Sequence, residues 1–316
     1  MTARRHHYVP KFMLSGFTES GKADGTLHVL DLDDGRSWVS TPEGSAYQRD
    51  YYRVEAPGLA PDAFEADLAK IEARAAGVIR ETVASLEPPS GDDLHALVEF
   101  VAIMASRTPP NIDHHAKQEA QLLRMMLQMQ IGHPEGFERL KEKARAAGRP
   151  MDDTTPEQLL NALENSEIGF SSTWTVQRLM MLAEALLPFL LPRKWCLLVP
   201  QPGAGEFVCS DMPAVIHDPT PRHPFYGPSF AAPESEFAMP LSRNVVLMGR
   251  FEKESAAYAV NRKTVAVMNG RAMMYAHHVY GAKPDFEWWM RDDRIGGVED
   301  LRQQIAARAA EQKEGE

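Results

Sequence analysis

The chain has only two cysteines in 316 residues, Cys196 and Cys209. A disulfide-stapled scaffold is excluded, because such folds place several bridges in a much shorter chain. No C-x-x-C occurs, which argues against structural zinc of the usual kind. There is no G-x-x-x-x-G-K-[ST], no G-x-G-x-x-G and no G-x-S-x-G. The glycine loops that cradle phosphates and the nucleophile elbow of α/β-hydrolases are therefore missing. Positive charge is in deficit: 34 Lys and Arg stand against 44 Asp and Glu, a net charge of -10. An acidic surface repels phosphate unless a local basic patch overrides it, so a protein that coats nucleic acid is not expected.

Long hydrophobic runs are scarce too. The most apolar stretch, 179–200, is broken by Glu184, Pro188, Pro192, Arg193 and Lys194, so no membrane span is expected. The start, Met-Thr-Ala-Arg-Arg-His-His-Tyr, is polar and basic; no signal peptide and a cytoplasmic location are expected. What is present is ordinary globular material, 44% hydrophobic and 25% charged, enough apolar mass to offset the entropy of ordering.

The pattern along the chain predicts an α+β fold. Residues 26–32 and 37–41 flank Asp33-Asp34-Gly35-Arg36, a hairpin signal. A short helix is expected from Pro10 to Phe17 and a third strand over 51–55. The middle is helical. Apolar residues at three- and four-residue steps predict helices over 61–86 and 92–106, followed by a helix over 111–129 that is methionine-rich on one side and a short charged helix over 137–147. Thr155-Pro156-Glu157 opens another, with a capping threonine and proline in the first turn. Residues 172–187 read as the most buried helix. The last third returns to β. Residues 195–199 and 206–210 predict a hairpin that sets Cys196 opposite Cys209, as two reduced core thiols or as a labile cross-strand disulfide. Strands at 236–239 and 244–251, a helix at 261–277 and a polar helix from Leu301 follow. The organisation expected is one domain over 1–285, β-rich in 1–57, helical in 58–192 and β-rich in 193–285, with a polar tail over 286–316.

Several residues carry potential chemistry. Arg4-Arg5-His6-His7-Tyr8-Val9-Pro10-Lys11 is similar to the first half of some His-Asn-His nuclease motifs. There a histidine activates water or binds the metal that polarises a phosphodiester, and Arg5 and Lys11 would neutralise its charge. That motif continues with an asparagine and another histidine, but the next forty residues contain no asparagine and only His28; the alternative is a hydrogen-bonded structural arm. Ser210-Asp211-Met212-Pro213 ends a predicted strand. Asp211 is either an active-site carboxylate, able with His7 to ligate a divalent metal, or the acceptor in an Asp-x-Pro turn. Arg107 closes a helix, as a C-terminal cap or as a buried anion site. Asn269, in an apolar helix, faces solvent or bonds a neighbouring segment. Glu184 lines a narrow polar edge or needs a buried partner. His277-His278 reads as a helix end. The loop 218–233 is a lid or a long connection.

Together these blocks resemble the domain of unknown function 4238 family, a broad, mainly bacterial group. The residues that carry the resemblance begin with His6-His7-Tyr8-Val9-Pro10-Lys11-Phe12-Met13-Leu14-Ser15-Gly16-Phe17. They continue with Tyr51-Tyr52, Ile71-Glu72 and Arg107-Thr108-Pro109, then 207–213, 239–242 and the Asn269 helix with Ala276. Met212 stands where the family usually has asparagine. The resemblance brings no established activity. It implies that the His-His-Tyr-Val-Pro and Ser-Asp-x-Pro blocks share one domain and meet in space.

Two functional classes follow. The first is a hydrolase, a metal-dependent phosphodiesterase or nuclease. It would use His6, His7 and Asp211 for catalysis, with a divalent metal on His7 and Asp211. Arg5, Lys11, Arg107, Ser210 and Asn269 would hold a small phosphate-bearing ligand or a nucleic-acid segment. The same polar cluster would also serve a small-molecule enzyme. The second class is a binding or regulatory module, which would use the methionine-rich helix around Met125, Met126 and Met129 as an adaptable contact face. A methionine-packed core is the plainer reading of that helix.

Overall fold

The computed structural model of the chain describes residues 5–54, 58, 60–219, 229–252, 254–290 and 292–314. The protein is an α+β fold. It divides into two compact units, Met1–Asn111 with Ser172–Glu316, and the intervening Ile112–Ser171.

The first unit opens with β1 (Arg5–His7), α1 (Lys11–Ser15), β2 (Leu27–Asp31), β3 (Ser37–Ser40) and β4 (Tyr47–Arg49). Helices α2 (Ala63–Ser85) and α3 (Gly91–Ser106) follow the predicted apolar spacing. α4 (Pro109–Gly132) leads into the second unit, which contains α5 (Pro134–Ala146) and α6 (Pro156–Glu164). Thr155 caps α6 through a full capping box with Gln158. The first unit resumes with α7 (Ser172–Leu190), β5 (Lys194–Pro200), β6 (Cys209–Ser210), β7 (Val215–His217), β8 (Glu236–Ser242), β9 (Val245–Arg250) and β10 (Ala257–Val260). It ends with α8 (Arg262–Ala272), β11 (His278–Gly281), β12 (Trp288–Trp289), β13 (Ile295–Gly296) and α9 (Val298–Glu314). Among the described residues, no helix is long and apolar enough to cross a membrane.

Two sheets organise this unit. The five-stranded sheet has the order β10-β5-β9-β8-β7, antiparallel except for the parallel β10–β5 pair. Alternation along β5 and β9 sends Cys196, Leu198, Val246 and Met248 to one face, where Val265 and Met268 of α8 cover them. The four-stranded sheet has the order β3-β2-β11-β6 and is antiparallel throughout. Leu30 and Val279 point to one face and pack on Leu301 and Ile305 of α9. The opposite face carries their strand neighbours Asp31, His278 and Tyr280. The tail beyond 286 therefore supplies five of the nine buried residues of this core, Trp288, Met290, Val298, Leu301 and Ile305. α3 is the most buried helix. Leu97, Val98, Phe100, Val101 and Met104 are almost wholly covered, and α3 packs between α2 and α7.

Several expectations change. The 195–199 and 206–210 segments do not form a hairpin. β5 pairs with β9 and β10, which sets Cys196 opposite Met248, while Cys209 lies in the other sheet opposite Tyr280. Both cysteines are buried thiols, not joined in a disulfide. The third N-terminal strand is Tyr47–Arg49 rather than 51–55; residues 55–57 lie outside the described residues. α7 is not fully buried: only Val176, Leu179, Ala183 and Leu190 are, and Glu184 is exposed. α8 ends at Ala272, so His278 opens a strand instead of closing a helix. Most of the loop expected as a lid or connection, 220–228, lies outside the described residues.

Candidate functional site

The N-terminal block is anchored by its own side chains. His6 is buried and stacks on the Tyr52 ring, with centroids 5.6 Å apart. Its Nδ1 accepts the Tyr52 N–H at 2.7 Å, and its Nε2 lies 3.1 Å from Glu65 Oε2. An Nδ1 that accepts fixes the proton on Nε2, which donates to Glu65. Both ring nitrogens are thus engaged within the fold. His7 is half-buried, with Nε2 3.3 Å from the Glu43 carbonyl oxygen. Burial holds the His7 pKa below its ordinary value. Lys11 donates to Glu43 Oε2 at 2.7 Å, and the Arg5 guanidinium lies over the Tyr47 ring.

Arg107 is fully buried. Its Nε donates to the Tyr8 carbonyl oxygen at 2.8 Å, and its Nη1 donates to Glu72 Oε1 at 2.7 Å. The arginine therefore holds the backbone of Tyr8 with a counter-ion supplied by α2. The Tyr8 hydroxyl reaches the other way. It lies beside the Tyr280 phenol, and the two phenols are close enough to Asp211 for that charge to act on both. Burial, helped by Asp211, pushes the Tyr8 pKa up to about 12 and raises that of Tyr280 as well. Tyr8 is the residue through which the N-terminal block and the Ser-Asp-x-Pro block meet.

At that meeting point, three residues form a row across adjacent strands. Asp211 lies just past β6, His278 opens β11 and Asp31 ends β2 directly opposite His278. Asp211 Oδ1 accepts the His277 N–H at 3.0 Å. Its Oδ2 accepts the His278 N–H at 3.1 Å and lies 3.1 Å from His278 Nδ1. A carboxylate only accepts, so Nδ1 carries a proton and Nε2 is the imidazole's free basic edge. Nε2 faces Asp31 Oδ2 at 3.8 Å, too long for a direct hydrogen bond and suited to one bridging water. Trp38 meets the ring edge-on at 5.8 Å. Hydrogen bonding to Asp211 raises the His278 pKa above its ordinary 6.5, against the effect of burial. The imidazole side chain is 31% exposed and Asp211 only 3%, so the base is reachable and its orienting acid is not.

The family described as "Protein of unknown function (DUF4238)" matches residues 5–278. The chain belongs to this family. No curated protein and no solved structure matches it. The family match takes in every member of the Asp31–His278–Asp211 row, and Tyr280 lies just beyond it.

The other expected site residues fall in separate places. Ser210 is fully buried, and its Oγ accepts the Met212 N–H at 3.1 Å, so the hydroxyl shapes the turn after β6. Asn269 is buried rather than solvent-facing. Its Oδ1 accepts the Val208 N–H, and its Nδ2 donates to the carbonyls of Glu206 and Glu287. His7 and Asp211, expected as a metal pair, have different partners. Among the described residues no group of three or more His, Cys, Asp or Glu is placed to hold a metal ion. Sequence reading missed His278 and Asp31 as site residues. The alternation His278, Tyr280 was the available signal, but the dipeptide His277-His278 reads equally well as a helix end.

Proposed function

We propose that the protein is a hydrolase in which His278 is the general base and Asp211 orients it. The observation that carries this reading is the carboxylate–imidazole pair, with Asp211 held by two backbone N–H groups and Nε2 left facing Asp31. A water between Nε2 and Asp31 would lose its proton to Nε2 as it attacks an acyl carbon, and the imidazolium would then give that proton to the alkoxide or amine that leaves as the acyl C–O or C–N bond breaks. Asp211 stabilises the imidazolium that forms, without taking the proton. A raised histidine pKa suits this role, since a general base works best with a pKa near the working pH.

The substrate class follows from charge. Asp31, Asp33 and Asp211 surround His277 and His278. The cations expected to neutralise phosphate are engaged elsewhere: Lys11 with Glu43, Arg107 with Glu72 and Arg5 over Tyr47. The row therefore favours a neutral or cationic ester or amide over a phosphodiester. Two cysteines left unbridged suit a reducing compartment, and we place the reaction in the cytoplasm. The test is hydrolysis of chromogenic esters, amides, phosphomonoesters and phosphodiesters by the wild type and His278→Gln. The expected result is turnover of the acyl class that falls about 10²–10⁴-fold in the variant. Activity indifferent to His278→Gln, or confined to phosphodiesters, would overturn the assignment.

One observation favours a second reading, an interaction module. Leu122, Met125, Met126 and Met129 line one side of α4 and are 57%, 52%, 49% and 71% exposed. Light scattering on the wild type and Met125→Glu/Met129→Glu decides it. A wild-type assembly that the variant dissolves supports a contact face, and a monomer in both removes it.

A further inference from the structure

A cavity of about 210 Å³ lies beside the other end of the β6–β11 pairing. Its lining is nearly evenly divided between polar and apolar surface, the apolar part including Phe207, Val208, Val265 and Phe286. Its charged lining is mostly acidic, with Glu206, Asp285 and Glu287 against Lys283. Val208 and Gly281 stand three residues along their chains from Asp211 and His278, about 10 Å at the rise of an extended strand. The cavity is therefore separate from the Asp31–His278–Asp211 row.

We infer that this cavity is a binding site for a small molecule with an aromatic-sized apolar body and a positively charged nitrogen. Size is the first argument: engineered apolar cavities of roughly 150 Å³ already admit benzene. The second is that the walls are built in advance. Asn269, 1% exposed, ties the backbone of Glu206, Val208 and Glu287 with three hydrogen bonds. Those three residues all line the cavity, so little ordering cost remains for a ligand.

Charge is the third argument. Glu206 is held by Lys283 at 3.0 Å, with Arg243 at 3.7 Å, and Glu287 pairs with Arg262. Asp285 Oδ1 accepts the Val298 N–H at the start of α9. The Lys283 side chain is 61% exposed, and so exposed a pair contributes little. An ammonium seated in the cavity displaces it readily and also faces Asp285, which is held by a backbone N–H rather than by a cation, whereas a carboxylate ligand is repelled by Asp285.

The test uses three probes with one ring, benzylamine, benzyl alcohol and benzoate, by ligand-observed NMR and calorimetry on the full chain. Benzylamine is expected to bind most tightly and benzoate least. Glu287→Gln, at a partly exposed position, should weaken benzylamine about threefold and leave benzyl alcohol unchanged. Val265→Phe should abolish binding of all three. Ala282→Phe serves as the second filling variant if the first does not fold, and a thermal melt reports which is intact. Benzoate binding as tightly as benzylamine, no binding of any probe, or binding that survives filling in a folded variant would each overturn the site. None of these readouts depends on hydrolysis, so failure here is distinct from failure of the His278 assignment.

Discussion

Asp211 and His278 face each other across an antiparallel strand pair, and one carboxylate oxygen takes both the backbone N–H and the Nδ1 edge of the same histidine. The Asp211 N–H in turn donates to the His278 carbonyl oxygen at 3.1 Å. The two residues are locked backbone to backbone before their side chains meet. The imidazole's angle and tautomer are thus fixed by the sheet itself. The only freedom left at His278 is the proton on Nε2.

That freedom gives a pH signature. The folded pKa of His278 lies above 6.5, so folding favours the protonated ring. Its stabilisation is complete below 6.5 and disappears as the pH rises through the raised folded value. The stability advantage of wild type over His278→Gln should therefore shrink across that window. Proton NMR titration checks the cause. In Asp211→Asn the His278 resonance should titrate at lower pH, because the hydrogen bond to an ionised acceptor is the main raising influence. The same variant sets an amide against N–H donors and should cost about 1–3 kcal/mol in urea unfolding. An unmoved titration in Asp211→Asn would show that the pair does not control the ring.

The Arg107–Glu72 pair makes an asymmetric prediction. Arg107 is fully buried, while the Glu72 side chain is 26% exposed. Glu72→Met strands a buried cation with the Tyr8 carbonyl as its remaining partner. Arg107→Met strands a carboxylate that water can still reach. Breaking a buried pair costs about 3–5 kcal/mol, and Glu72→Met should lie at the upper end. The double variant should be more stable than Glu72→Met alone. Urea midpoints of the three proteins decide it; if Arg107→Met is the worse single change, the Tyr8 contact outweighs the charge.

The helices were legible in the sequence because their signal is local. The apolar steps through α2 and α3 and the Thr155 cap need no knowledge of distant residues. The strands were harder, because the same alternation in 195–199 suits any apolar neighbour. β5 takes β9 and β10, and β6 takes β11, each far along the chain. The candidate site failed to show for a related reason. Asp31, Asp211 and His278 are ordinary residues until three strands bring them into one row. His6 shows the converse: its setting in a basic, histidine-rich run suggested chemistry, but the fold uses both of its nitrogens to hold Tyr52 and Glu65.

Asn269 supplies a sharper test of buried polar geometry. Its three hydrogen bonds join the 206–208 segment to Glu287, two stretches that no ladder connects. Asn269→Leu leaves one N–H and two carbonyls without partners, about 2–4 kcal/mol from hydrogen-bond values. Asn269→Asp keeps the acceptor for the Val208 N–H but turns an anion toward the carbonyls of Glu206 and Glu287. At neutral pH it should be at least as destabilising as leucine. It should recover on acidification, because a protonated acid can donate to one of those carbonyls. Thermal melts across pH separate the two variants. A pH-independent Asn269→Asp would mean that the segment opens to let water in.

Arg193 tests whether a buried cation is stable here without a carboxylate. The residue is 2% exposed. Its Nε donates to the Phe189 carbonyl, its Nη1 to the carbonyls of Ser235 and Gly249, and its Nη2 to the Phe230 carbonyl and Ser235 Oγ. It also stacks on Phe251, 4.4 Å from the ring centroid. The planar fork thus ties the end of α7 to β9 and to the segment that leads into β8. A β-carbon at Gly249 would come within 2.9 Å of the Trp195 ring and 3.1 Å of Arg193 Cδ, so the position opposite must stay small. A lysine keeps the charge but presents a point donor that cannot reach acceptors spread around a plane. Arg193→Lys should therefore destabilise as much as Arg193→Met, about 2–4 kcal/mol for lost bonds to a charged group. Should lysine prove nearly neutral in denaturant unfolding, the charge rather than the fork geometry would be what holds this junction.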